Sequence, residues 1–128
     1  VCTDLTGFGL VGHLIEMTKA SEVDAVLYRD ALPLLDGAAD TVKAGILSSL
    51  QPANLRLRRA IRDIDSVSQH PVYPLLFDPQ TAGGLLAGVP AETADDCIAA
   101  LHQAGYPATA IVGQIEARSD ALEPIRLT

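Results

Sequence analysis

The spacing of apolar positions predicts that helices and strands alternate along the chain. Leu10, Leu14 and Met17 recur at helical spacing, after Asp4 and Thr6, either of which can cap a helix. Segments of this kind predict helices over residues 6–19, 35–44, 52–61 and 90–104. Short apolar or alternating runs predict strands over residues 23–28, 85–89, 108–115 and 125–127. Such an alternation is typical of helices packed on a sheet.

Two stretches between these segments have a weaker pattern. Residues 63–71 are predicted to form a loop, and residues 72–77 fit a short helix or a strand. The segment 90–104 has a clear amphipathic pattern, which places Ile98 and Leu101 on its inward face and Cys97 in the core. The chain has no internal repeat, so residues 1–128 are predicted to form a single domain.

Composition supports one folded domain and argues against two classes of partner. With 128 residues, 48% of them hydrophobic, the chain is long and apolar enough to bury a core. Nine basic and sixteen acidic residues give a net charge of −7, which repels a phosphate backbone, so we expect no nucleic-acid binding. We also expect a cytoplasmic protein that binds no membrane, because the chain lacks a signal-peptide pattern and an apolar run of about 20 residues. Cys2 and Cys97 lie far apart and predict free thiols rather than a zinc site.

Two polar segments interrupt the apolar pattern, and each combines a carboxylate and hydroxyls with glycines. The first signature segment, residues 3–13, reads Thr-Asp-Leu-Thr-Gly-Phe-Gly-Leu-Val-Gly-His. The second signature segment, residues 78–86, reads Asp-Pro-Gln-Thr-Ala-Gly-Gly-Leu-Leu. Glycine allows a backbone N–H to approach an anion closely, and a neighbouring carboxylate can hold a hard cation. Together the two segments predict a site for a metal ion and a phosphate.

The first signature segment also has structural interpretations. Its glycines fit G-x-G-x-x-G. A dinucleotide-binding motif needs a strand immediately before it, and only a short stretch that begins with Val1, Cys2 and Thr3 precedes these glycines here. A P-loop needs lysine at the position of His13. The glycines could serve only to let a helix pack tightly against a sheet. Asp4 could serve as the N-cap of that helix. A single helical histidine such as His13 is more often a hydrogen-bonded structural residue than a ligand.

The two segments carry a resemblance to a known family. The first matches the pattern Thr-Asp-x-Thr-Gly-Phe-Gly-Leu-x-Gly-His at every fixed position, and the second matches Asp-Pro-Gln-Thr-Ser-Gly-Gly-Leu-Leu except at Ala82. The whole chain therefore resembles the C-terminal domain of selenophosphate synthetase (selenide, water dikinase), in the aminoimidazole ribonucleotide synthetase superfamily. The resemblance implies an α+β fold, with a mixed β-sheet covered by helices and partial similarity to the ferredoxin fold. It also implies that the chain is the C-terminal domain of a longer enzyme.

The same resemblance implies a set of site residues and partners. Asp4 would be a ligand of Mg²⁺, and ATP would be the substrate that phosphorylates selenide. The residues expected to face ATP and its phosphates are Thr6, Gly7, Phe8, Gly9, Asp78, Gln80, Thr81, Gly83 and Gly84. The family's nucleophile and main ATP-binding surface lie in an N-terminal domain, so no catalytic residue is expected in this chain, and Cys2 is not the nucleophile. The chain alone is expected to be inactive, and the full-length protein is expected to be a homodimer.

One segment departs from the family pattern and keeps two alternatives open. Many members have Gly-Gly-Thr before an Arg-Asn pair where this chain has residues 48–54, and only Asn54 is clearly kept. The difference favours, to a small degree, a non-catalytic interaction domain of the same fold; another synthetase of the superfamily is the second alternative. Arg56, Arg59 and Arg62 then share one predicted helical face. We interpret that face as solvated, with phosphate contact as the less favoured interpretation.

Overall fold

A computed structural model describes all residues 1–128 and confirms the alternation of helices and strands. The helices are α1 (Gly9–Ser21), α2 (Ala38–Lys43), α3 (Gln51–Asn54), α4 (Ile64–Val67) and α5 (Ala94–Gln103). The strands are β1 (Cys2–Asp4), β2 (Val23–Leu27), β3 (Leu85–Ala87), β4 (Gly113–Ala117) and β5 (Ile125–Leu127). Short 3₁₀ helices occupy Arg29–Ala31, Leu55–Ala60, Tyr73–Phe77 and Ala91–Thr93. None of the helices combines the length and the apolar character needed to span a bilayer.

The five strands divide between two sheets. β1 and β3 form an antiparallel pair in which Asp4 lies opposite Leu85. The second sheet has the strand order β4-β2-β5, and its central strand runs antiparallel to β4 and parallel to β5. Helices accompany this mixed pairing, which confirms the predicted α+β class.

The core joins α1 to the three-stranded sheet and to the 3₁₀ helix Tyr73–Phe77. Its 12 buried residues are Val11, Leu14, Ile15, Ala25, Leu27, Ile61, Val67, Tyr73, Leu76, Phe77, Ile125 and Leu127. Phe77 is fully buried and immediately precedes Asp78, whereas α1 begins within the first signature segment. Packing of α1 on this 3₁₀ helix therefore places the two signature segments next to each other.

The first two helices begin later than predicted because glycines control the backbone there. The predicted helix 6–19 starts instead at Gly9, whose φ of +69° is a left-handed conformation that favours glycine. The predicted helix 35–44 is reduced to α2, and it begins after Gly37, which has a φ of +82°. Both glycines lie at the point where the chain turns into the helix.

The middle of the chain contains shorter helices than the pattern predicts. The predicted helix 52–61 is divided into α3 and the 3₁₀ helix Leu55–Ala60. The prediction of a loop over residues 63–71 is wrong in part, because α4 lies within it. Residues 72–77, for which helix and strand were both open, form the 3₁₀ helix Tyr73–Phe77. Of these pieces, α4 contributes Val67 to the core and the 3₁₀ helix Tyr73–Phe77 contributes three residues, whereas the buried residues of α3 are the polar Gln51 and Asn54.

The helix α5 does not enter the core as its amphipathic pattern predicted. Cys97, Ile98 and Leu101 are all only half-buried, and no residue of α5 is fully buried. The prediction that Cys97 lies in the core is therefore wrong. The strand predicted over residues 108–115 also begins later, at Gly113. The Thr109 carbonyl lies 2.8 Å from the His102 Nε2, and the Thr109 N–H donates to the Tyr106 carbonyl, so residues 106–109 form a turn.

A buried ionic group fastens the three-stranded sheet to the loop that precedes β5. The Asp24 side chain is 3% exposed and accepts hydrogen bonds from the Ser119 N–H, the Ser119 hydroxyl and the Arg62 guanidinium. Arg62 thus points into the fold, and the interpretation of its side chain as part of a solvated face is wrong. The Ser119 hydroxyl is the strongest of the groups that hold the pKa of Asp24 below its usual value, and the Arg62 charge acts in the same direction against the effect of burial.

We expect the stability of the fold to depend on pH through Asp24. Because the carboxyl pKa is lower in the folded than in the unfolded chain, the ionised group stabilises the fold above about pH 4. That contribution is lost as pH falls through the folded-state pKa. Asp24→Asn keeps the shape of the side chain without its charge, so its urea midpoint should lie well below that of the parent at pH 7 and approach it near pH 3.

The control for this measurement is Asp36→Asn, at an exposed carboxylate without an ion pair. It should leave the midpoint unchanged at both pH values. A gap between Asp24→Asn and the parent that has the same size at pH 7 and at pH 3 would contradict the assignment of the effect to ionisation.

Candidate functional site

The two signature segments lie side by side and form one polar edge of the molecule. β1 ends at Asp4, and its pairing with β3 continues as a hydrogen bond from the Leu5 N–H to the Gly84 carbonyl, 2.9 Å long. A second bond of 3.0 Å runs from the Gln80 N–H to the Thr6 carbonyl. The structure therefore brings together the candidate site residues Asp4, Thr6, Gly7, Phe8, Gly9, Asp78, Gln80, Thr81, Gly83 and Gly84. We call this surface the signature edge.

The turn before α1 is held by His13 and not by a side-chain cap. The Thr6 N–H donates to the His13 Nε2 at 3.0 Å, and the Thr6 hydroxyl lies 3.2 Å from the same nitrogen. Because the Nε2 accepts a hydrogen bond from a backbone amide, the ring proton lies on Nδ1. His13 is 6% exposed, and its ring lies 5.9 Å from that of Phe8 between centroids. The prediction of a structural, hydrogen-bonded histidine is confirmed.

The side chain of Asp4 has no structural role within the chain. The N-cap position of α1 is occupied by Phe8, and no side chain caps the helix, so the interpretation of Asp4 as the N-cap is wrong. Its carboxylate is exposed and forms neither a hydrogen bond nor an ion pair with another residue. An unpaired carboxylate at the end of an edge strand remains available to a group from outside the chain.

Two glycines of the signature edge are required by the contact between its two segments. A Cβ atom at Gly9 would lie 2.9 Å from the carbonyl carbon of Phe77 and 3.0 Å from the carbonyl oxygen of Asp78. A Cβ atom at Gly83 would overlap the carbonyl oxygen of Leu5. Both neighbours are backbone atoms that cannot rotate away. Packing between the two segments therefore requires glycine at these two positions.

Two other glycines of the same edge have no such requirement. A Cβ atom at Gly7 or at Gly84 would meet nothing within 4 Å, and neither residue has a positive φ. Both are exposed, as is Phe8, whose side chain is 53% exposed beside Gly7. Neither packing nor backbone conformation explains glycine here. The open space in front of these positions suits the close approach of a ligand or of another backbone.

Asp78 contributes a second carboxylate to the signature edge. It is half-buried, and its side chain forms no hydrogen bond or ion pair within the chain. Burial raises the pKa of the Asp78 carboxyl above its ordinary value. A cation or a hydrogen-bond donor that approaches this edge would reverse that effect, because it would favour the ionised form.

The buried amides of α3 were not identified as site residues from the sequence. Asn54 is 7% exposed, and its Nδ2 donates to the Gly7 carbonyl at 2.8 Å and to the Phe77 carbonyl at 3.1 Å. Gln51 is 2% exposed and donates to the Pro74 carbonyl at 2.8 Å. The family pattern singles out Asn54 within residues 48–54, but only the fold shows which carbonyls these amides reach.

The residues of this chain fit a metal ion only in part. No group of three or more His, Cys, Asp or Glu side chains is placed to hold one. Magnesium, however, is commonly bound through one or two carboxylates, with phosphate oxygens and water completing its octahedron. The free carboxylate of Asp4 fits that role when the remaining ligands come from outside the chain.

The signature edge is largely exposed, and it lies outside two surface depressions of the molecule. Two surface depressions of about 640 and 390 Å³ lie elsewhere, around α4 and between α1 and residues 122–124. Neither is lined by a residue of the signature segments. Enclosure of a small ligand at the signature edge therefore requires a second surface facing it.

Comparison with known proteins gives a family match and a set of similar proteins. Residues 1–122 match the family described as AIR synthase related protein, C-terminal domain. A protein of Porphyromonas gingivalis named selenide, water dikinase is 36% identical over 124 residues, which are 96% of this chain and 35% of that protein. The protein of the same name from Clostridioides difficile is 35% identical over 115 residues, or 88% of this chain and 32% of its own length. The corresponding Clostridium botulinum protein is 33% identical over 119 residues, with 93% and 34% covered.

These comparisons confirm the resemblance that the two signature segments carry. The match extends over almost the whole chain and is not limited to the two motifs. The chain spans about a third of the length of these curated relatives.

Proposed function

Because the chain belongs to the family of the C-terminal domain of AIR synthase related proteins, we propose that it is this domain of a selenide, water dikinase. The full-length protein would use ATP to phosphorylate selenide and would form selenophosphate, AMP and phosphate. Selenophosphate would then supply selenium for the synthesis of selenocysteine. Residues 1–128 would form one domain of the longer enzyme, with no catalytic residue of their own.

The signature edge is the single observation that carries this proposal. Its two segments are joined by backbone hydrogen bonds, yet the Asp4 carboxylate and the space before Gly7 and Gly84 are left free. A merely structural contact between the segments explains neither the exposed, unpaired carboxylate nor the two unhindered glycines. Free N–H groups and unobstructed backbone are what a phosphate group needs for close approach.

In the proposed enzyme, Mg²⁺ would neutralise charge on the phosphates during transfer. Asp4 would hold the ion together with ligands from another domain. The residues proposed to face ATP and its phosphates are Thr6, Gly7, Phe8, Gly9, Asp78, Gln80, Thr81, Gly83 and Gly84. The chain carries a net charge of −7, so a nucleotide needs such a cation, or backbone N–H groups, to approach this surface.

The partner proposed for the signature edge is the N-terminal ATP-binding domain of the same protein. Cys2, Asp4, Leu85 and Ala87 share the outward face of the β1–β3 pair, and all four are exposed. Among these four residues, Leu85 is 75% exposed and offers apolar surface that a second domain would cover. We further propose a homodimeric, cytoplasmic enzyme that binds neither nucleic acid nor membrane.

The test of this function is a product analysis on the full-length protein. With ATP, Mg²⁺ and selenide, phosphorus NMR should detect AMP, phosphate and selenophosphate in equal amounts, and omission of selenide should abolish selenophosphate. The chain of 128 residues alone should melt cooperatively and consume no ATP. A full-length protein that consumes no ATP with selenide would favour the alternative of an interaction domain, and AMP formation by the 128-residue chain would show that the catalytic groups have been misplaced.

A further inference from the structure

We propose that Asn54 is a positioning residue that sets the geometry of the signature edge from inside the fold. The inference rests on the proposed function, because it concerns how the edge is held ready for MgATP. The Asn54 Nδ2 donates to one carbonyl in each half of the edge: Gly7 in the turn of the first signature segment, and Phe77 directly before the second. A single buried side chain thus links both halves.

Asn54 adds a side-chain attachment to the backbone hydrogen bonds that join the halves. On the strand side, the Leu5 N–H bonds to the Gly84 carbonyl and the Gln80 N–H bonds to the Thr6 carbonyl. These bonds do not reach the Gly7 carbonyl, and neither do the bonds that the Thr6 N–H forms with His13 and the Thr6 carbonyl forms with the Gly9 N–H. On the helix side, the Asn54 amide holds the Gly7 peptide, which has no side chain of its own to fix it.

The amide group of Asn54 matters because the side chain is buried away from water. Asn54 is 7% exposed, and its bond to the Phe77 carbonyl is buried, so loss of the amide would leave a carbonyl without its donor in the interior. The Gly7 peptide, released from its donor, could then rotate in the open space around it. Rotation at Gly7 would move the flanking Thr6 and Phe8, which are proposed to face the phosphates.

Gln51 offers a matched control within the same helix. It is also a buried amide, and its Nε2 also donates to a backbone carbonyl at 2.8 Å. Its acceptor is Pro74, which belongs to neither signature segment. Loss of the Gln51 bond should therefore cost stability of the same kind without releasing the signature edge.

The experiment compares Asn54→Leu with Gln51→Met in the full-length protein. Both variants should lower the melting temperature. Hydrogen exchange without substrates should be faster in Asn54→Leu at the Leu5, Gly9 and Gln80 amides, by about tenfold or more, and unchanged there in Gln51→Met. Turnover with saturating MgATP should fall roughly tenfold to a hundredfold in Asn54→Leu alone, with a raised KM for MgATP.

The result that overturns the proposal is equal exchange at these three amides in the two variants, or equal kinetics. If Asn54→Leu does not fold, Asn54→Ala replaces it, because its smaller side chain leaves room for a water molecule. The exchange measurement requires no activity. An inactive parent protein would therefore count against the proposed function, whereas unchanged exchange in an active protein would count against the role of Asn54.

Discussion

Replacement of Asp4 by asparagine is expected to reduce turnover of the full-length protein by a factor of roughly 100 to 1,000 and to leave the fold unchanged. That loss corresponds to about 3–4 kcal/mol in the activation free energy. The neutral amide is a poorer ligand for a hard cation than the carboxylate, so charge on the transferring phosphoryl group would be less well neutralised.

The structure explains why the substitution at Asp4 should leave the stability of the fold unchanged. The Asp4 carboxylate is exposed, has no partner, and does not cap α1, whose N-cap position is occupied by Phe8. Its removal should therefore change the free energy of unfolding by less than about 0.5 kcal/mol. An effect on activity without an effect on stability would separate a ligand from a structural residue.

The measurement is turnover as a function of magnesium concentration, together with a thermal melt. Asp4→Asn should need more magnesium for half-maximal rate. Asp36→Asn changes another exposed carboxylate in the same way and should behave as the parent does. If turnover of Asp4→Asn is unchanged at limiting magnesium, Asp4 is not a metal ligand.

The second large effect is expected at Gly83, where alanine should destabilise the fold by about 3 kcal/mol. The added Cβ would overlap the carbonyl oxygen of Leu5, a backbone atom that can move only if the two signature segments separate. For a domain of this size the loss corresponds to a fall in melting temperature on the order of 10 °C. The free energy of unfolding from urea titration provides the value directly.

The neighbouring Gly84 is the matched control. A Cβ there would meet nothing within 4 Å, so Gly84→Ala should change the free energy of unfolding by less than about 1 kcal/mol. In the full-length protein, however, the methyl group would stand in the space proposed for the phosphates and should weaken MgATP binding. Equal destabilisation by the two variants would contradict the division of these glycines into structural and free ones.

The sequence alone could not divide these glycines into structural and free ones. The pattern of residues 78–86 identified Gly83 and Gly84 together, and the glycines of residues 3–13 as a group. Adjacent glycines look identical in a sequence, whereas their roles depend on which backbone atoms of a distant segment lie beside them. The distinction requires the pairing of β1 with β3, which spacing along the chain does not encode.

Local patterns were sufficient where local contacts decide the structure. The strand β2 and the short edge strand β5 were predicted nearly to the residue, and His13 was correctly interpreted as structural. The position of α5 was not predictable in the same way. An amphipathic pattern shows which face of a helix is apolar, but it does not show how deeply that face is covered by the rest of the fold.

The parallel pairing of β2 with β5 constrains how this domain can fold while it is being synthesised. Ala25 lies opposite Ile125, which is completely buried, and the Thr128 N–H still donates to the Leu27 carbonyl. One edge of β2 therefore stays unpaired until residues 124–128 have been synthesised and have left the ribosome. During that interval the apolar strand presents free backbone groups to other chains, which exposes the domain to aggregation.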